Sequence, residues 1–154
     1  MAYLLTSMRD ETGRILIEGY YDNVAALTES ERAAIDAMPN IETQLKDELA
    51  VHTPEGSGTR IEELVTLPAI NARGITGGGV GDQGRNIILS SSTVSLNLRL
   101  VPNQRPERIR QIIENHITKE GYSIIYEDPT DDILRANPKV CLLYTSDAAD
   151  DQAC

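Results

Sequence analysis

Tryptophan and phenylalanine are absent from this chain, and six tyrosines are its only aromatic residues. Its core must therefore be built mainly from Ile, Leu, Val and Ala. The two cysteines, Cys141 and Cys154, both fall in the last 14 residues, so neither can brace the body of the fold. There is no CxxC and no Cys/His spacing of a zinc site. Such cysteine usage makes a reducing, cytoplasmic setting the default expectation. No apolar run approaches the roughly 20 residues of a membrane span. The N-terminal MAYLLTSMRDETG has no basic region followed by a long apolar stretch, which argues against a secretory signal. Basic residues are outnumbered 14 to 24 by acids, for a net charge of −10. Nucleic-acid binding is disfavoured, because phosphate contacts need clustered Lys and Arg.

Catalytic motifs are scarce too. His52 and His116 have no Cys, Asp or Glu partner at metal-ligand spacing, so no metal ligand is assigned and both read as structural or surface residues. Ser90, Ser91 and Ser92 lie outside any GxSxG frame. The DPTDD run at 128–132 reads as a turn and lacks the Gly and distal Glu of a calcium loop.

What remains is organisation. At 154 residues the chain suits one domain with a modest core. Residues 1–9 read as the end of an amphipathic helix, and DETG at 10–13 as a turn. Arg14 to Tyr21 reads as a short strand or extended segment. Nine acids against three bases lie between Thr28 and Glu63, the pattern of a solvated helical face. Thr28 and Glu31 form a capping-box pattern opening a helix to about Ala37, where Pro39 stops it. Asn40 is placed to cap a second helix, about 41–50. HTPEGSGT at 52–59 is loop, and Arg60 to Val65 a further helical turn.

The most informative stretch is Leu67 to Pro106. Ala69 to Thr76 reads as a strand and GGGVGDQG at 77–84 as a loop. In the strand Thr93 to Val101, Val94, Leu96, Leu98 and Leu100 face a core while Thr93, Ser95, Asn97 and Arg99 face outward. Pro106 suits a first helical turn. Ile109, Ile112, Ile113 and Ile117 form the helix's apolar stripe, and Gly121 closes it. Tyr122 to Glu127 is a last strand. This order makes most of a β-α-β-β-α-β ferredoxin-like unit. The expected fold class is α+β: an antiparallel sheet with helices on one face, its first strand missing, and an acidic helical insertion at about 22–66.

Two readings of the hairpin can be weighed. Gly79, Gly81 and Gly84 spell G-x-G-x-x-G, but a dinucleotide site needs a helix directly afterwards, and NIILSSSTVSLNLRL reads as strand. The glycines therefore read as a hairpin loop. Arg99 on the polar face of a strand suits recognition of a carboxylate, and Asn86 beside the loop can donate or accept a hydrogen bond. From spacing alone, a surface arginine is the plainer reading.

LPAINARGI, the glycine loop, RNII and LNLRLVPNQRPERI together resemble the lid, or dimerisation, domain of the dizinc metallopeptidase family M-twenty. That family contains aminoacylases, acetylornithine deacetylases, succinyl-diaminopimelate desuccinylases and carnosinase-type dipeptidases. SMRDETGRILIEGYYDNV is similar to the run after the first lid helix in its larger members. The resemblance covers about residues 3–140. It implies that Arg99 binds a substrate carboxylate and that Asn86, thirteen residues earlier, polarises or holds the scissile carbonyl. It also implies a homodimer formed through the lid, a small peptide or N-acyl amino acid substrate, and two zinc ions in the parent enzyme. The chain departs from the family in having Leu89 where proline is usual. It also lacks the lid histidine of the HSG-like segment, the H-x-D strand end, the bridging Asp and the Glu-Glu base. The fragment alone is expected to be inactive.

CLLYTSDAADD at 141–151 resembles translated sequencing-adapter read-through. The lid is therefore expected at residues 1–140, with 141–154 a non-native tail. The alternative reading is a free-standing ferredoxin-like ligand-binding or oligomerisation module.

Overall fold

The computed structural model describes residues 1–56 and 58–144. The chain divides into two compact units, Met1–Ile109 and Arg110–Cys154.

The first unit opens with α1 (Ala2–Met8), which buries Leu4 and Met8. DETG turns as expected, with Gly13 at φ 86°. A Cβ there would meet only the ends of the Glu55 and Arg9 side chains, which can swing aside, so it is the positive φ that calls for glycine. The following segment forms no full strand. Only an isolated bridge joins Arg9 to Ile15, although Ile15, Ile17 and Tyr20 are all buried.

The acidic stretch is helical. α2 (Glu29–Ala37) has its full capping box, in which the Thr28 side chain accepts from the Glu31 backbone N–H and the Glu31 carboxylate accepts from that of Thr28. Only Ile35 of α2 is buried, so its acids lie on a solvated face as expected. α3 (Glu42–Leu49) follows, with Asn40 Oδ1 accepting from the Glu42 N–H at 3.0 Å. α4 (Ile61–Leu64) is a single turn.

β1 (Ala69–Thr76) and β2 (Thr93–Arg99) pair antiparallel. Ile70 faces Leu98 and Ala72 faces Leu96, but the register then shifts, so that Gly74 meets Ser95 and Ile75 meets Val94. Arg73 is thus the extra residue of a β-bulge. The bulge rephases Ile75 onto the apolar side; strict alternation would have turned it outward.

Two expectations about β2 are corrected. Residues 86–92 are irregular, so the strand begins at Thr93 rather than continuing from the loop. Nor is its Leu/Val face fully buried. Ile70 is 3% exposed, whereas Leu98 is 39% and Ile75 64% exposed. Length explains the difference within this unit: a seven-residue helix covers about 10 Å, while eight strand residues span about 26 Å. Leu5 and Met8 of α1 meet Ile70, Ala72 and Leu96 along an open groove.

The unit closes on Val101–Gln104. The Gln104 N–H donates to the Val101 carbonyl at 3.1 Å, and Asn103 has φ 75°. With Pro102 before it, this is the pattern of a type II turn. The Gln104 amide also donates to the Tyr20 carbonyl at 2.7 Å and accepts from the Val101 N–H at 3.2 Å, stitching the turn to the buried EGYY segment.

Helix α5 (Pro106–Lys119) crosses the division between the units. Ile109, Ile113 and Ile117 are buried and Ile112 half-buried, as the isoleucine stripe predicts. Gly121, at φ 83°, ends the helix. In the second unit, β3 (Ser123–Ile125) pairs parallel with β4 (Val140–Leu142). The expected turn at DPTDD is instead a helix start: Thr130 caps α6 (Asp131–Ala136), which the sequence reading missed.

The fold class is α+β, with an antiparallel hairpin and helices. The described strands form two two-stranded sheets. In a β-α-β-β-α-β unit the first strand lies between the hairpin and the last strand. Among the described residues no strand joins the two sheets into that single one. The expected boundary at residue 141 falls within β4, and residues 145–154 lie outside the described residues.

Candidate substrate-binding hairpin

Arg99 is the last residue of β2 and stands opposite Ala69, the first of β1. It shares the polar side of the hairpin with Asn71, Asn97, Ser95 and Thr93. Its side chain is exposed but anchored. Nη2 donates to the Leu67 carbonyl at 3.1 Å and lies 3.4 Å from that of Leu64. A guanidinium carries five N–H donors, so those on Nε and Nη1 remain uncommitted.

Asn86 lies in the long connection between Thr76 and Thr93, exposed and without a side-chain hydrogen bond. The two candidates thus belong to opposite ends of the hairpin. The six steps from Thr93 to Arg99, at about 3.3 Å each, set Arg99 about 20 Å from the loop end of β2.

The connection is shaped by its glycines. A Cβ on Gly79 would sit 2.2 Å from the Gln83 carbonyl oxygen. Gly78, at φ 71°, lies against the Leu89 side chain. Gly81–Gln83 forms one 3-10 turn, and no α-helix follows it before β2. The G-x-G-x-x-G run is therefore loop, without the helix N-terminus a pyrophosphate needs. Leu89 packs beside Gly77 and Gly78.

A second polar cluster, which the sequence reading did not single out, binds the start of the chain to β1. Arg9 Nη1 donates to the Ile70 carbonyl at 3.0 Å and to Asn71 Oδ1 at 3.4 Å, while Nη2 pairs with Glu55. Arg9 thereby ties α1, the strand and the loop after α3 together. Only its place at a helix end beside a glycine turn hinted at this.

Neither histidine joins a site. His52 is exposed in its loop. His116 is half-buried in α5, and burial, with Lys119 adding to it against an opposing Glu120, lowers its pKa from the usual value. Burial likewise raises the Cys141 thiol. Among the described residues no group of three or more His, Cys, Asp or Glu could hold a metal ion. No helix among the described residues is long and apolar enough to cross a membrane.

A helix, an acidic helical stretch and a glycine-linked hairpin whose one strand ends in an anchored arginine make up an α+β module. The sequence profile of the peptidase dimerisation domain matches residues 1–124. The chain belongs to that family. It is 25% identical over 119 residues to a Cys-Gly metallodipeptidase of Schizosaccharomyces pombe, covering 75% of this chain and 25% of the relative. It is 29% identical over 119 residues to a Beta-Ala-His dipeptidase of Mus musculus, covering 74% and 24%. Among solved structures, an M-twenty family metallo-carboxypeptidase from Sulfolobus solfataricus superposes with TM-score 0.65 at 30% identity, over 78% of this chain and 32% of that one. Human carnosine dipeptidase shares the fold with TM-score 0.65 at 24% identity, over 75% and 25%. The chain spans about a quarter of the length of the curated relatives it matches.

Proposed function

We propose that this chain is the substrate-binding and dimerisation lid of a zinc-dependent peptidase or amidohydrolase that cleaves an amide bond near a free carboxylate. The observation that carries this reading is Arg99, a guanidinium on a strand end with three N–H donors uncommitted, in a chain whose family is the peptidase dimerisation domain. In this reading Arg99 takes the carboxylate of a small peptide or N-acyl amino acid. Because Asn86 lies at the opposite end of the hairpin, farther from Arg99 than a small substrate spans, it serves the scissile carbonyl of a substrate whose carboxylate is held by Arg99 of the other copy in a dimer, donating as negative charge develops there. The zinc ions belong to another part of the parent enzyme, so the lid alone holds and orients substrate without hydrolysing it. The cysteine pattern favours a cytoplasmic parent.

The two residues should separate in kinetics. In the enzyme carrying this lid, Arg99→Ala is expected to raise KM for a carboxylate-bearing substrate by about 10- to 100-fold, the equivalent of losing hydrogen bonds to a charged group of ~1.5–3 kcal/mol. Asn86→Ala is expected to lower kcat more than it raises KM, because its hydrogen bond strengthens in the transition state. An unchanged KM in the Arg99 variant sinks the carboxylate role.

A further inference from the structure

The two most recognisable pieces of the sequence, LPAI at 67–70 and RLVPNQ at 99–104, meet in space. Arg99 and Leu67 are 32 residues apart in sequence, yet Arg99 Nη2 donates to the Leu67 carbonyl at 3.1 Å. The contact follows from the register, because Ala69 and Arg99 are the first pair of the hairpin.

What aims the Leu67 carbonyl is the next residue. Proline disfavours the helical region for the residue before it, which narrows the directions its carbonyl can take. Pro68 is buried, so the step is held from the protein side as well. Upstream, the Leu67 N–H donates to the Leu64 carbonyl at 3.1 Å and the Thr66 hydroxyl to the Glu63 carbonyl at 2.7 Å, closing the end of α4 into a compact turn. The Leu64 carbonyl then lies 3.4 Å from the same Nη2. One guanidinium nitrogen is thus met by two carbonyls from a braced turn. A free arginine side chain has many rotamers to lose on binding. Holding it beforehand removes much of that loss from the binding step.

We propose that the Leu67–Pro68 step is a positioning element for Arg99: it fixes the guanidinium through Nη2 and leaves Nε and Nη1 presented to a carboxylate. This rests on the carboxylate role of Arg99 proposed above. Pro68 acts only through Leu67 and touches no substrate.

The test uses the 154-residue chain, nitrogen-15 relaxation of the Arg99 Nε–H, and N-acetylglycine as the carboxylate probe. In the unmodified chain the Arg99 Nε–H is expected to be ordered and to shift as N-acetylglycine is added. Pro68→Ala is expected to lower that order and to weaken the probe-induced shift several-fold, with the amide spectrum of the Ile70 and Ile109 core unchanged. Because Pro68 is buried, Leu67→Gly supplies a second variant that frees the same backbone step from a surface position, with the same expected loss. An Arg99 Nε–H that stays ordered in both variants overturns the positioning role, and a persisting probe shift would then leave carboxylate binding standing. If N-acetylglycine fails to perturb Arg99 in the unmodified chain, carboxylate binding falls, and the order measurement still decides the positioning role.

Discussion

Among the described residues Tyr20 is the most buried large side chain, 1% exposed, and its hydroxyl has no hydrogen-bond partner there. A buried hydroxyl without a partner forfeits its hydration, so Tyr20→Phe is expected to stabilise the fold by about 1 kcal/mol, read from the urea midpoint at pH 7. Burial, reinforced by Tyr21, pushes the Tyr20 pKa up to about 12. An unfolded tyrosine ionises near pH 10. Below pH 10 both states keep the proton; as pH rises from about 10 to 12 the unfolded chain ionises first and stability is lost. The Phe variant should lack that alkaline step, and an identical loss in both proteins would refute the assignment. Ala50 ends α3 in the left-handed region at φ 52°. That conformation costs an L-residue roughly 1–2 kcal/mol, so Ala50→Gly is expected to stabilise the fold by up to about 1 kcal/mol, read as a higher urea midpoint. Neither site was legible in the sequence. EGYYDN does not say which tyrosine turns inward, and alanine carries no signal for a left-handed cap.

At the scale of elements, periodicity served best where one residue follows another without interruption. The isoleucine stripe of α5 and the capping box of α2 formed as read, because both depend on neighbours within one turn. β1 spans Ala69–Thr76 as read, but its alternation breaks at Arg73, the one residue β1 carries beyond those β2 pairs with. This has a sharp consequence. Deleting Arg73 should leave Gly74 opposite Ser95 and Ile75 opposite Val94, giving a regular ladder with every other pair retained. Cross-strand proton contacts between Ile75 and Val94 check it: their loss would mean that Arg73 sets the register rather than merely bending the strand. The start of α6 was misread because Thr130 and two acids mark a helix start as well as they mark a turn, and only the continuation decides.

For the whole molecule, composition and charge set the terms of association. The hairpin leaves Ile75, Leu98, Ile87 and Ile88 exposed, and a two-stranded sheet leaves each strand one unpaired edge. Membership of the peptidase dimerisation domain family supports pairing of two copies. A chain of net charge −10 repels its copy, so salt should favour the dimer by screening. Sedimentation at high micromolar concentration is expected to give a dimer whose fraction grows from low to moderate salt. A monomer at both salt levels would exclude self-association by this chain.

The sequence by itself determined the α+β class, the family, the capping box of α2 and the hairpin, and it singled out Asn86 and Arg99 as candidates. These depend on local chemistry and on motif spacing, which a linear chain already contains. Only the tertiary structure decided how far the apolar face of the hairpin is covered, where its ladder slips, and that Arg99 is held by the carbonyl of Leu67, 32 residues away. Those outcomes depend on which backbone atoms meet across the fold, and no local pattern encodes them.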